Sequence, residues 1–170
     1  MFFGVSPLQS FHVAISLLAI AVGIWVLFGM MANRRMSGAT ALFLMTTVIT
    51  TLTGFLFPIG QFTPALGVGI ISTVVLAVAL WARYRAGLKG RWRGTYVVTS
   101  VLALYLNCFV LVVQLFLKVP ALNALAPGGT EPPFLIAQAI TLVLFILAGW
   151  RAFDRFDPPA LTVEQAFKSA

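Results

Sequence analysis

An all-α bundle of five membrane-crossing helices is the architecture this sequence predicts, and three observations predict it. Of 170 residues, 61% are hydrophobic and 9% charged, against about 25% charged in an ordinary soluble domain. The mean hydropathy is +1.02, too apolar for a surface that faces water, so soluble enzymes, disordered tails and nucleic-acid modules are excluded as classes. The charges are also bunched: no charged side chain precedes Arg34, and none lies between Arg35 and Arg83, Arg93 and Lys118, or Glu131 and Arg151. A helix rises about 1.5 Å per residue and the hydrocarbon slab is about 30 Å thick, so about 20 apolar residues make one crossing. The apolar runs are continuous and do not alternate with period two, as a membrane barrel requires.

The first span covers 11–31 and is entered through Ser6-Pro7, where serine can cap and proline tolerates the first turn. Met1 to Ser10 holds no basic residue, unlike a cleavable signal peptide, so this span reads as a retained anchor. The uncharged stretch 36–82 is too long for one crossing and must fold back at PIGQFTP, because proline cannot continue a helix. That places a second span near 39–57 and a third near 65–83. A fourth covers about 95–117. A fifth, about 134–152, is entered through Glu131-Pro132-Pro133. One bundle over 1–153 and a short cytoplasmic tail over 154–170 complete the organisation, with a capping-box pattern at Thr162 that predicts a brief helix through Lys168.

Orientation follows from charge, because basic loops stay on the cytoplasmic side. Arg34 and Arg35, then Arg83, Arg85, Lys89, Arg91 and Arg93, then Arg151, Arg155 and Lys168 fall on one side of five crossings, and only Lys118 on the other. The N-terminus is therefore expected outside and the C-terminus inside. Arg85, Lys89, Arg91 and Arg93, interleaved with Tyr84, Trp92 and Tyr96, are candidates for contact with anionic lipid. Each such residue is worth roughly 1 kcal/mol near an anionic surface. The simpler use of this segment is to set topology, and no groove-reading element accompanies it that would suggest nucleic acid.

Within the spans the informative residues are polar. Ser100, Asn107 and Gln114 recur every seven residues, so they lie within about 40° of one another on a helix and should face the bundle rather than lipid. Thr46, Thr47, Thr50, Thr51 and Thr53 on span two, and Gln138 and Thr141 on span five, add further hydroxyl and amide groups. These residues are either helix glue, at about 0.6 kcal/mol per interhelical hydrogen bond, or the lining of a polar path or ligand site. Ala65, Gly69, Thr73 and Ala77 on span three recur every four residues and form a candidate packing face, within the bundle or in a homo-oligomer. The extramembrane stretch with Ala121–Ala126 between Pro120 and Pro127 predicts an interfacial helical turn.

Metal and redox chemistry have little to draw on. His12 is the single histidine and Cys108 the single cysteine; a bis-histidine haem needs a second histidine, so His12 is a weak haem-ligand candidate and no cofactor is predicted. Cys108 reads as an inert packing residue. Glu131, Asp154, Asp157 and Glu164 all fall outside the spans, which disfavours proton- and cation-coupled pumping. There is no paired intramembrane aspartate, zinc motif, nucleophile elbow or phosphate-binding glycine loop.

The segments TTVITTLTGFLFP, VGIIS and ALYLNCFVLVVQLFLKVPAL resemble those of small integral membrane proteins of proteobacteria, over roughly residues 10–150. The resemblance implies a bacterial inner membrane and transfers no activity. The expected function is a non-catalytic accessory or interaction subunit in contact with lipid and other membrane chains. A passage or site for a small neutral or lipophilic molecule is second, and a haem- or quinone-linked redox component third.

Overall fold

The computed structural model describes residues 6–57 and 64–158. Helix α1 spans Pro7–Met31, α2 Ser37–Gly54, α3 Pro64–Leu80, α4 Arg91–Lys118, α5 Pro120–Asn123 and α6 Pro132–Arg155. Five of the six, all except α5, are long and apolar enough to cross a membrane, with α3 extended through a π-helical turn at Trp81–Arg85. The chain is an integral membrane protein with an all-helical fold.

Local chemistry explains where the helices begin and end. Ser6 Oγ accepts a hydrogen bond from the Gln9 N–H at 3.2 Å, and Pro7 occupies the first helical turn, so α1 starts four residues before the apolar run. Helix α2 stops at Gly54, short of the expected 57, in a turn that hydrogen-bonds Phe55 N–H to Leu52 O; glycine is a poor helix former and Pro58 follows. Helix α4 begins at Arg91 because the left-handed residues Gly87, Leu88 and Gly90 turn the chain just before it. Leu88 tolerates a positive φ of 59° that is costly for a branched side chain, and that side chain is 4% exposed in the core. Helix α6 starts at Pro132 behind Glu131, as the double proline predicts. The PIGQFTP break, apart from its last proline, and the Thr162–Lys168 helix lie outside the described residues.

The five long helices close into a ring in the order α1, α2, α3, α4, α6, and α1 also touches α4 across it. Gly23 permits that crossing, since a Cβ there would lie 2.5 Å from Leu104 Cδ1 and 2.8 Å from Phe43 Cε2. Burial is concentrated at one end, where Met30, Phe43, Leu44, Leu76, Ala79, Leu88, Tyr96, Val97, Leu104 and Phe156 form one apolar cluster. The loops there are the basic ones. Helix α6 buries only Ala152 of its 24 residues, and Ile136, Ile140, Leu144, Leu147 and Trp150 along it are exposed.

Candidate functional site

The polar groups of the bundle fall into two sets, one joining helices through its middle and one gathered at the basic end. In the middle, α2 satisfies most of its threonines internally. Thr46 Oγ1 donates to Leu42 O at 2.7 Å, Thr47 Oγ1 to Phe43 O at 2.7 Å, Thr51 Oγ1 to Thr47 O at 2.9 Å and Thr53 Oγ1 to Ile49 O at 2.8 Å. Such back-bonding hides a hydroxyl inside its own helix. Thr141 does the same on α6, donating to Ala137 O at 2.8 Å.

The amides reach between helices. Asn107 Nδ2 on α4 donates to Thr47 Oγ1 on α2 at 3.4 Å, and Gln138 Nε2 on α6 donates to Phe109 O on α4 at 3.2 Å. His12 Nδ1 on α1 lies 2.8 Å from Thr53 Oγ1 on α2, with its ring edge-on to Phe57 at 5.2 Å. Three expected polar residues thus sit at helix–helix seams. Ser100 is buried at 2% exposure, but Gln114 is exposed, so the stripe of Ser100, Asn107 and Gln114 is not one continuous lining. A straight helix drifts about 20° per seven residues, and Gln114 sits one turn from the end of α4, where an amide can reach the interface.

The four small residues of α3 also divide. Gly69 packs within the bundle, where an added Cβ would meet the Phe55 ring at 3.1 Å. Thr73 and Ala77 face outward, and the side chain of Ala65 lies outside the described residues.

At the basic end, arginines with the same expected task have different surroundings. Arg85, Lys89 and Arg91 are exposed, as topology-setting or lipid-facing charges should be. An open groove along the start of α4 is lined by Arg91, Arg93, Thr95, Thr99 and Phe153. Arg93 does more than line it: Nη1 donates to Phe153 O at 2.8 Å and Phe156 O at 2.5 Å, capping the end of α6. Helix C-terminal carbonyls need such donors, and a cation there also opposes the helix dipole. The guanidinium lies 5.3 Å from the Phe153 ring centroid, an approach helped by Gly94, where a Cβ would come within 2.7 Å of Phe153 Cε2. Asp157 Oδ1 stands 3.9 Å from Arg93 Nε with its side chain 84% exposed, so that ion pair adds little. The Asp157 N–H donates to Asn33 Oδ1 at 3.0 Å, tying the end of α6 to the α1–α2 loop.

Arg83, in the π-helical turn, is buried at 1% exposure. Its guanidinium carbon lies 5.5 Å from the Tyr84 ring centroid and 5.6 Å from that of Tyr96. Arg83 Nε and Nη2 have no hydrogen-bond partner, and the same holds for Arg35 Nε and Nη2, Tyr96 OH, Ser100 Oγ and Thr50 Oγ1. Thr40 and Ser100 stand beside the Tyr96 hydroxyl, short of hydrogen-bond geometry. Burial, and secondarily the Arg83 charge, lowers the Arg35 pKa from its ordinary value, so the two guanidiniums feel each other. In the sequence Arg83 is one topology charge among several, and its burial depends on the π-helical turn that carries it.

At the opposite end, Glu131 Oε1 accepts from Gly128 N–H at 2.8 Å and Oε2 from Thr130 N–H at 2.9 Å. The Gly128 N–H, foremost among these backbone donors, holds the carboxyl below its ordinary pKa of 4.5. Asn123 Nδ2 donates to Phe116 O at 3.1 Å, so the short α5 caps α4. Among the described residues no three of His, Cys, Asp and Glu come together as metal ligands. No protein-family model matches the sequence, and no curated protein or solved structure matches it.

Proposed function

We propose that the protein is a non-catalytic accessory or interaction subunit of a bacterial inner membrane, with its N-terminus outside and its C-terminus in the cytoplasm. The observation that carries this reading is the use made of the interior polar groups: Asn107, Gln138 and His12 join pairs of helices, and threonine hydroxyls are turned onto their own backbone. A passage needs polar groups facing an open path; these face each other. The nearly unburied α6 supports the interaction role, because its apolar face is open to lipid or to the helix of another membrane chain. Exposed Arg85, Lys89 and Arg91 suit contact with anionic headgroups. The orientation rests on charge bias, and the choice of membrane on the resemblance to proteobacterial proteins.

A site for a small neutral molecule is the second reading, favoured by the unpartnered Thr50, Ser100 and Tyr96 hydroxyls. A haem- or quinone-linked role rests on His12, whose pairing with Thr53 gives the ring a structural task.

Reconstitution into liposomes separates the first two readings. Flux of small neutral solutes equal to that of protein-free liposomes is the expected outcome, and flux that Asn107→Leu abolishes without loss of thermal stability would establish the second reading instead. Orientation is tested by labelling in a Cys108→Ala background: Leu125→Cys should react from outside and Lys89→Cys only after permeabilisation, and the reverse pattern would invert the arrangement.

A further inference from the structure

The basic end of the bundle encloses a charge that nothing among the described residues balances. A guanidinium keeps its proton in a protein, and a buried ion left unpaired is strongly destabilising. Arg83 is buried, and two of its nitrogens have no partner. The faces of Tyr84 and Tyr96 offset part of that cost, but a ring face cannot accept the in-plane N–H groups that a carboxylate would.

No described carboxylate is placed to help: Glu131 is at the other end of the bundle, Asp154 is exposed, and Asp157 lies against Arg93. Arg35, of the same sign, from the loop between α1 and α2, is close enough to feel the Arg83 charge. Its Nε and Nη2 are also buried without a partner. Arg83 lies against the Tyr96 ring at 5.6 Å, with Ser100 beside the Tyr96 hydroxyl, so forked donors and hydroxyls share this end of the bundle. Planar guanidiniums suit paired oxygens of a phosphate, and hydroxyls complete such a donor set.

We propose that Arg35 and Arg83 form an oxyanion site that takes a phosphate group, supplied by a lipid headgroup or as free phosphate. Arg35 is half-buried on a loop, so the ligand enters from the side of residues 32–36. The level of the site suits a headgroup, because the π-helical turn holding Arg83 ends the third span beside Arg85. This inference stands apart from the accessory role, since an anion site would serve a passage or a partner-binding bundle equally.

The test is ligand-induced thermal stabilisation of the full chain, delipidated in maltoside micelles and phosphate-free buffer, with ionic strength held constant by chloride. Inorganic phosphate and phosphatidylglycerol are the two probes. A midpoint that rises with inorganic phosphate identifies a site open to the free anion. A rise with phosphatidylglycerol alone identifies a headgroup site. Arg83→Met should weaken the response roughly ten- to hundredfold in apparent affinity, the size expected for losing hydrogen bonds to a charged group. Arg35→Gln, on the loop, should weaken it in the same direction and serves if Arg83→Met does not fold. Lys118→Gln, an exposed charge at the opposite end of the bundle, should leave it unchanged. No rise with either probe, or a rise that survives both Arg83→Met and Arg35→Gln, would overturn the proposal.

Discussion

The two ends of the bundle are built on different principles. Toward the basic end, side chains from the spanning helices and from the residue that follows α6 meet in one buried cluster that includes Met30, Phe43, Leu76, Tyr96 and Phe156. At the opposite end the described helices hold together through smaller devices: the His12–Thr53 pair, the Phe116–Phe134 ring contact at 5.5 Å, and the caps made by Asn123 and Glu131. In water such a loosely packed end would be penalised by exposed apolar surface, whereas in lipid apolar side chains are as well solvated outside the bundle as inside it. A membrane protein can therefore concentrate its packing where geometry matters most. Here that is the end holding the arginines.

If packing is concentrated there, truncation should show it. Leu104→Ala removes a side chain that is 1% exposed and should lower the unfolding free energy by about 2–5 kcal/mol, the largest loss expected here. Unfolding in mixed micelles with a denaturing detergent would measure it. Leu117→Ala, at the far end of α4 from the basic loops and 57% exposed, should change stability within about 0.5 kcal/mol. Equal losses would erase the distinction between the ends.

Arg93→Met removes the Nη1 donor that holds two carbonyls at the end of α6 and should cost about 1.5–3 kcal/mol, with faster hydrogen exchange confined to the last turn of that helix. Asn107→Leu, at a single longer hydrogen bond, should cost about 0.5–2 kcal/mol, and Gln114→Leu nearly nothing. An equal cost for both would restore the continuous polar stripe. The smallest effect concerns acid. The folded-state pKa of Glu131 lies below its ordinary value of 4.5, so its contribution is present above that value and is lost as pH falls through the depressed folded-state pKa. A pH titration of stability should show that loss for the parent and not for Glu131→Gln.

Much of this architecture was legible in the sequence, because lipid imposes a coarse rule. The gaps between Arg35 and Arg83 and between Arg93 and Lys118 set the crossings, and Ser6-Pro7 and Glu131-Pro132-Pro133 marked two helix starts. Neighbour order was not legible. Nothing in the composition of span five says that it closes the ring between α1 and α4 and buries only Ala152. The polar residues were found but not their partners, since heptad spacing gives a direction that drifts along the helix: Ser100 and Asn107 turned inward and Gln114 did not. Two of the arginines at the basic end were the least legible of all. Arg83 and Arg93 lie ten residues apart in one charged segment, yet one is buried beside two tyrosines and the other caps a distant helix. A glycine-rich turn with positive φ at Gly87, Leu88 and Gly90 redirects the chain between them, and charge pattern carries no trace of that geometry.

The packed end encloses a cation that no described residue matches, and the sign of one stability change tests this most directly. In delipidated maltoside micelles and phosphate-free buffer, Arg83→Met replaces an unpaired buried charge with an apolar side chain and should raise the unfolding free energy by about 1–4 kcal/mol. Arg93→Met, measured beside it, should lower it. A fall for Arg83→Met as large as that for Arg93→Met would show that Arg83 is paired in the folded protein and would contradict the account.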